Sequence, residues 1–224
     1  MIPLLNRIFP KDMVFLHIGK TGGSALRAGL RQVKSNTSFL NHSVTLSHAL
    51  RSFPRSQIGF VVRDPVSRTT SGFYSRLRKG APRYHNEWTY AERVIFTRWP
   101  TMDTLGESMQ AGDPEALEAA SSITHVRKGL AHYLGDVDLL QSASDRIGFV
   151  GHQETLNSDV QWLSRELGVD IAMPSDDNAA HRSPDGQTNK RLSADAEAAV
   201  RAYHAADFPI YDWCLRKRKE LGIG

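Results

Sequence analysis

An α/β fold, with a mainly parallel sheet flanked by helices, is what the sequence predicts, and three observations predict it. Short apolar runs suited to buried strands alternate with helical patterns. Two of those runs end in loops rich in Gly, Ser, Lys or Arg that open directly into a helix. The length of 224 residues suits a single domain over 1–224, long enough to bury a core without disulfides.

The first strand is expected over residues 13–18, Met-Val-Phe-Leu-His-Ile, which run into Gly19-Lys20-Thr21-Gly22-Gly23-Ser24. A helix marked by Leu26, Leu30 and Val33 follows. Ile58 to Val62 form the second strand and end at Arg63-Asp64-Pro65, with Pro65 suited to the first turn of a helix reaching about Leu77. Segment 79–110 is rich in Arg, Tyr and Trp without clear periodicity, and is expected to be an insertion or a lid on the acceptor side. Residues 114–140 read as helical, Arg146 to Val150 as a third strand, and Leu156, Val160, Leu163 and Leu167 as the stripe of another helix. A polar loop over 174–190 leads to a closing helix near Leu192, with Ser193 as its N-cap.

Composition excludes several classes. The net charge of +4 fits an anionic ligand but is too small, and too dispersed, to indicate nucleic acid. The dense cluster Arg216 to Lys219 reads as a solvated helix face. Cys214 is the single cysteine, which excludes an internal disulfide and any CxxC motif. No metal is expected: there is no HExxH motif, and His125, Arg127 and His132 do not share one tight helix face, so a structural or acceptor-binding role suits them better. Arg7, Pro10, Lys11 and Asp12 interrupt the early apolar patch, and no later run is long enough for a transmembrane segment. The chain reads as soluble and cytoplasmic, with a peripheral membrane contact through Ile2 to Phe9 left open.

A loop between strand and helix is a ready anion site, because unpaired backbone N–H groups and the helix dipole face the ligand. The first loop is P-loop-like, but a nucleoside-triphosphate loop of the form GxxxxGK[ST] would need glycine where Val14 stands. Residues 15–24, Phe-Leu-His-Ile-Gly-Lys-Thr-Gly-Gly-Ser, instead resemble the HIPKTGGTS loop of carbohydrate sulfotransferases of the heparan-sulfate 2-O-sulfotransferase type. Gly19 replaces the usual proline, and Ser24-Ala25 replaces Thr-Ser. The resemblance implies that the co-substrate is 3′-phosphoadenosine-5′-phosphosulfate (PAPS), that Lys20 stabilises the departing phosphate, and that Thr21, Gly22, Gly23 and Ser24 supply donors to it.

Residues 60–73, Phe-Val-Val-Arg-Asp-Pro-Val-Ser-Arg-Thr-Thr-Ser-Gly-Phe, resemble the second signature of that family, in which an arginine and a serine eight positions later hold the 3′-phosphate; here these are Arg63 and Ser71. Asp64 and Arg68 are expected to form a structural ion pair at the helix start. Phe149-Val150-Gly151 with Glu154, and the stretch from Leu192 to Tyr211, resemble further segments of the family. Arg182, Ser183 and Lys190 fall where related enzymes bring a basic loop over the nucleotide, although a solvated loop fits them equally.

By the same resemblance the catalytic base precedes the 3′-phosphate arginine by about twenty residues. His42 precedes Arg63 by twenty-one and His48 by fifteen, so His42 is the expected base and His48 the alternative. His17 is read as support for the loop. The acceptor is expected to be a hydroxylated carbohydrate or glycolipid, although small metabolites fit as well. Tyr84, Trp88 and Trp99 suit either stacking on sugar rings or core packing. Two rival readings stand beside this one: a small-molecule kinase of P-loop type, and a non-catalytic module that binds adenosine 3′,5′-bisphosphate (PAP) or a glycan.

Overall fold

The computed structural model describes residues 12–33, 36–82, 84–174 and 191–224. Its centre is a parallel sheet of four strands in the order β2-β1-β3-β4, formed by β1 (Met13–Phe15), β2 (Thr37–Phe39), β3 (Gln57–Val62) and β4 (Ile147–His152). The crossovers carry α1 (Gly23–Leu30) after β1, α2 (Leu46–Ser52) after β2, and α3 (Pro65–Leu77) after β3. The α/β class with a parallel sheet is therefore as expected.

β3 is central because its side chains can be buried on both faces. Ile58, Phe60 and Val62 join a core with Val14, Leu16 and Leu46, while Val61 joins Met13, Phe15, Leu26 and Phe149 on the other face. β2 was not anticipated. Thr37-Ser38-Phe39 is polar and only partly buried, as an edge strand can be, so no apolar run announces it. β1 is shorter than the apolar run 13–18. Its ladder ends at Phe15, after which Leu16 N donates to Gly59 O and the chain turns away at Ile18 into the loop.

Segment 79–110 is helical over most of its length from Tyr90 onward, although no clear periodicity announces this. It carries α4 (Tyr90–Arg98) and α5 (Met102–Gln110), whose Phe96, Met102 and Leu105 share a third core with Phe73 of α3. Glu92 accepts from Arg76 Nε (2.7 Å) and Nη2 (2.6 Å), a buried bidentate pair fastening α4 to α3. Trp88 and Trp99 are committed to the protein: Trp88 Nε1 donates to Arg76 O (2.9 Å), and the buried Trp99 donates to Ser108 Oγ (3.0 Å). Packing is thus the use the structure makes of these tryptophans.

The region expected to be helical over 114–140 is broken into α6 (Pro114–Ser122), α7 (Thr124–Arg127), α8 (Leu130–Leu134) and α9 (Val137–Ser142). α10 (Leu156–Leu167) follows β4, and α11 (Ala194–Tyr203) starts at the expected N-cap, Ser193, whose hydroxyl accepts from Ala196 N. The chain then breaks and restarts as α12 (Asp207–Leu221). Asp207 accepts from Leu130 N (2.7 Å) and Ala131 N (2.9 Å), so it caps α8. Among the described residues, no helix is long and apolar enough to cross a membrane. Ile2 to Phe9 lie outside the described residues.

Candidate anion-binding site at the carboxyl ends of β1 and β3

Parallel pairing of β1 with β3 places the loops that follow both strands at the same edge of the sheet. In the first loop, Lys20 has φ +69° and Gly22 has φ +90°, so both occupy the left-handed region. Glycine tolerates this at Gly22, where an added Cβ would also meet Leu156 Cδ2 at 2.9 Å. Lys20 adopts it at a cost of about 1 kcal/mol or more, a strain of the kind stored at binding loops.

Gly22 is the N-cap of α1 and offers no side chain to the helix end. Ala25 N and Leu26 N bond to Gly22 O, while among the described residues the N–H groups of Gly22, Gly23 and Ser24 go to no backbone carbonyl. These groups can receive an anion. The hydroxyl of buried Thr21 donates to Ile18 O (3.0 Å) and holds the turn, so the donor that Thr21 can offer a ligand is its backbone N–H. Ser24 Oγ lies 3.3 Å from His17 Nε2.

The histidines are not equivalent. The His42 ring lies on the His17 ring, with centroids 3.7 Å apart, and its Nδ1 is 3.2 Å from His17 O. A bond to a carbonyl requires hydrogen on Nδ1, which in the neutral imidazole leaves Nε2 with the lone pair. His42 is exposed and sits against the first loop. His48 is exposed on α2, and its backbone N–H donates to the N-cap Thr45. The structure therefore brings His42 to the loop through a direct contact with His17.

At the second loop, Arg63 lies mostly buried, with Nε 3.9 Å from Glu154 Oε1 and no hydrogen-bond partner on Nε among the described residues. Burial lowers its pKa, offset in part by the charges of Glu154 and Asp64. Ser71 is half-buried two turns into α3. Glu154 also lies 3.1 Å from His152 Nε2, which in turn is 2.7 Å from the Tyr211 hydroxyl. Burial, followed by Glu154 and Asp64, pushes the Tyr211 phenol up to about 12, so it stays protonated. Sequence reasoning singled out Glu154 and Tyr211 as parts of longer patterns; the histidine joining them carried no signal beyond its place beside Gly151.

The expected Asp64–Arg68 ion pair is not formed. Asp64 accepts from Ser67 N (2.8 Å) as the N-cap of α3. Arg68, four positions on, points inward: it is buried, donates from Nη2 to Lys128 O, and lies 5.9 Å from the Tyr133 ring centroid. Its Nε and Nη1 have no partner among the described residues, and burial lowers its pKa, offset by Tyr133 and Asp207. An added Cβ at Gly72 would meet His125 O at 2.6 Å, so this glycine lets α7 seat directly on α3. Burial, then Lys20, His42, Arg68 and Arg76, lowers the His125 pKa to about 4, which keeps its imidazole neutral near pH 7.

Arg182, Ser183 and Lys190, expected to bring a basic loop over the nucleotide, lie outside the described residues. Among the described residues, no group of three His, Cys, Asp or Glu side chains is placed to hold a metal ion. No protein-family model matches the chain, and no curated protein matches it.

Proposed function

We propose that the protein is a sulfotransferase that moves a sulfuryl group from PAPS to a hydroxyl of a carbohydrate or glycolipid acceptor. What carries the reading is the juxtaposition of two unlike anion sites: the strained Lys20 loop with its open N–H groups, and Arg63 at the end of the neighbouring parallel strand. A donor with phosphate at both ends of one nucleoside suits such a pair.

On this reading the 5′-phosphosulfate lies on the Lys20 loop and the 3′-phosphate near Arg63 and Ser71. The acceptor oxygen bonds to sulfur as the bond from sulfur to the bridging oxygen breaks, and the electron pair leaves on the 5′-phosphate of PAP. The hydroxyl proton passes to Nε2 of His42, whose Nδ1–H on His17 O fixes the tautomer. Lys20 offsets the charge that grows on the leaving phosphate.

The test is thermal stabilisation by PAP or PAPS against ATP with magnesium, followed by transfer of label from PAPS across polysaccharide, glycolipid and small-hydroxyl acceptors in EDTA. Stabilisation by PAP with labelled acceptor is expected. Greater stabilisation by ATP with magnesium would sink the donor assignment, and PAP binding with no transfer to any acceptor class would point to a binding module.

A further inference from the structure

Glu154 belongs to neither of the two loops, yet its turn packs against the first and its carboxylate reaches the second. It sits in the single turn Gln153–Thr155 between β4 and α10. An added Cβ on Gly22 would meet Leu156 Cδ2 at 2.9 Å and Gln153 Cγ at 3.6 Å, so the residues on both sides of Glu154 lie against the Lys20 loop.

The carboxylate stands between two partners. Its Oε1 is 3.9 Å from Arg63 Nε, within ion-pair range but beyond a hydrogen bond, and that buried Nε has no hydrogen-bond partner among the described residues. Burial lowers the Arg63 pKa, and Glu154 is the leading charge that offsets it. On the other side, Oε2 is 3.1 Å from His152 Nε2, which also lies 2.7 Å from the Tyr211 hydroxyl. A ring nitrogen carries either a hydrogen or a lone pair. With the lone pair, Nε2 accepts from Tyr211 and repels the carboxylate; with the hydrogen, it can hold Glu154. The Glu154 side chain is 46% exposed, so it has room to turn from one partner to the other.

We propose that Glu154 is a tethered counter-ion of Arg63, which a bound phosphate displaces towards His152 and which returns to expel the ligand. A phosphate monoester brings more charge and more acceptor oxygens to Arg63 than a carboxylate does, so it can take the guanidinium. Because Glu154 is attached to the chain, it competes at a high effective concentration and shortens the residence of whatever anion Arg63 holds. That the anion is the 3′-phosphate of PAP rests on the sulfotransferase reading; the exchange of counter-ions rests on the geometry around Arg63. A carboxylate that only oriented Arg63 would act with the opposite sign and lengthen residence.

The experiment measures dissociation of PAP and of adenosine 5′-phosphate from the full chain by stopped flow, with affinities from calorimetric titration. Glu154→Gln should slow PAP dissociation about fivefold, the size of one partly exposed charge pair, and leave adenosine 5′-phosphate unchanged. His152→Leu removes the alternative partner of the carboxylate and should speed PAP dissociation. The double variant should match Glu154→Gln, because without the carboxylate His152 has nothing to hold. Faster or unchanged PAP release in Glu154→Gln overturns the proposal, as does an equal change for both ligands or a double variant in which the two effects add. Should His152→Leu fail to fold, the sign of the Glu154→Gln effect decides alone. Arg63→Ala separates the two levels. If it speeds release of PAP but not of adenosine 5′-phosphate while Glu154→Gln does nothing, the counter-ion falls and the donor assignment stands. If the two ligands leave alike from the wild type and from Arg63→Ala, the placement of the 3′-phosphate falls as well.

Discussion

The junctions after β1 and β3 share one plan, strand to loop to helix, and differ in who satisfies the helix end. At α1 the cap is Gly22, which offers no side chain, and beside the left-handed turn at Lys20 and Gly22 the first N–H groups of the helix meet no backbone carbonyl among the described residues. At α3 the carboxylate of Asp64 already caps the helix, and Pro65 has no N–H to give. On the proposed reading the first junction would bind an anion with backbone and dipole, and the second with the side chains of Arg63 and Ser71. Alike in sequence grammar, the two helix starts are built differently, and only the first carries a left-handed lysine.

The largest effect is expected where that strain is concentrated. Lys20→Ala should lower turnover by about a thousandfold and weaken donor binding, as removal of one donor to developing charge commonly does. Lys20→Gly should be equally inactive yet more stable than Lys20→Ala by about 1 kcal/mol, because glycine accepts φ +69° without penalty. Denaturant unfolding of the two variants measures this. Equal stabilities would mean that the left-handed turn carries no strain.

Next in size is the base. His42→Ala should reduce turnover by about a hundredfold with PAP affinity unchanged, and His48→Ala should be nearly silent, since His42 is the one in contact with His17 beside the loop. Steady-state rates with a PAP titration separate the two, and the reverse ranking would remove His42 from the mechanism.

At the second junction the effect should be smaller and selective. Arg63→Ala is expected to weaken PAP by about tenfold or more but adenosine 5′-phosphosulfate much less, since the latter has no 3′-phosphate. Ser71→Ala should follow the same pattern more weakly. A uniform loss of both ligands on Arg63→Ala would place that arginine on another part of the nucleotide.

How much of this was legible in the sequence follows from what each signal depends on. α3 was placed at its observed limits because Pro65 and an apolar strand before it are local features. β2 was missed because an edge strand made of Thr37-Ser38-Phe39 needs no apolar pattern. The helices of segment 79–110 were missed because α4 is anchored by a buried Arg76–Glu92 pair, whose partners look like surface charges in one dimension. Arg68 misled for the converse reason: four residues after Asp64 on a helix it reads as an ion-pair partner, yet in three dimensions it turns inward to Lys128 O. The left-handed Lys20 was invisible, because no neighbouring residue announces positive φ at a lysine.

The smallest expected effect tests the comparison most directly. If the second junction binds phosphate through side chains alone, the Asp64 carboxylate is a local cost to that binding, since its charge reaches Arg63 and would repel an anion there. Asn caps helices about as well as Asp, so Asp64→Asn should leave stability nearly unchanged and tighten PAP binding about threefold, whereas Asp64→Ala should lose about 1 kcal/mol of stability with the same gain in affinity. Calorimetric titration of PAP beside denaturant unfolding reads both quantities. A loss of affinity in Asp64→Asn would mean that the carboxylate positions Arg63 instead of opposing its ligand. The second junction would then depend on its cap, as the first depends on lacking one.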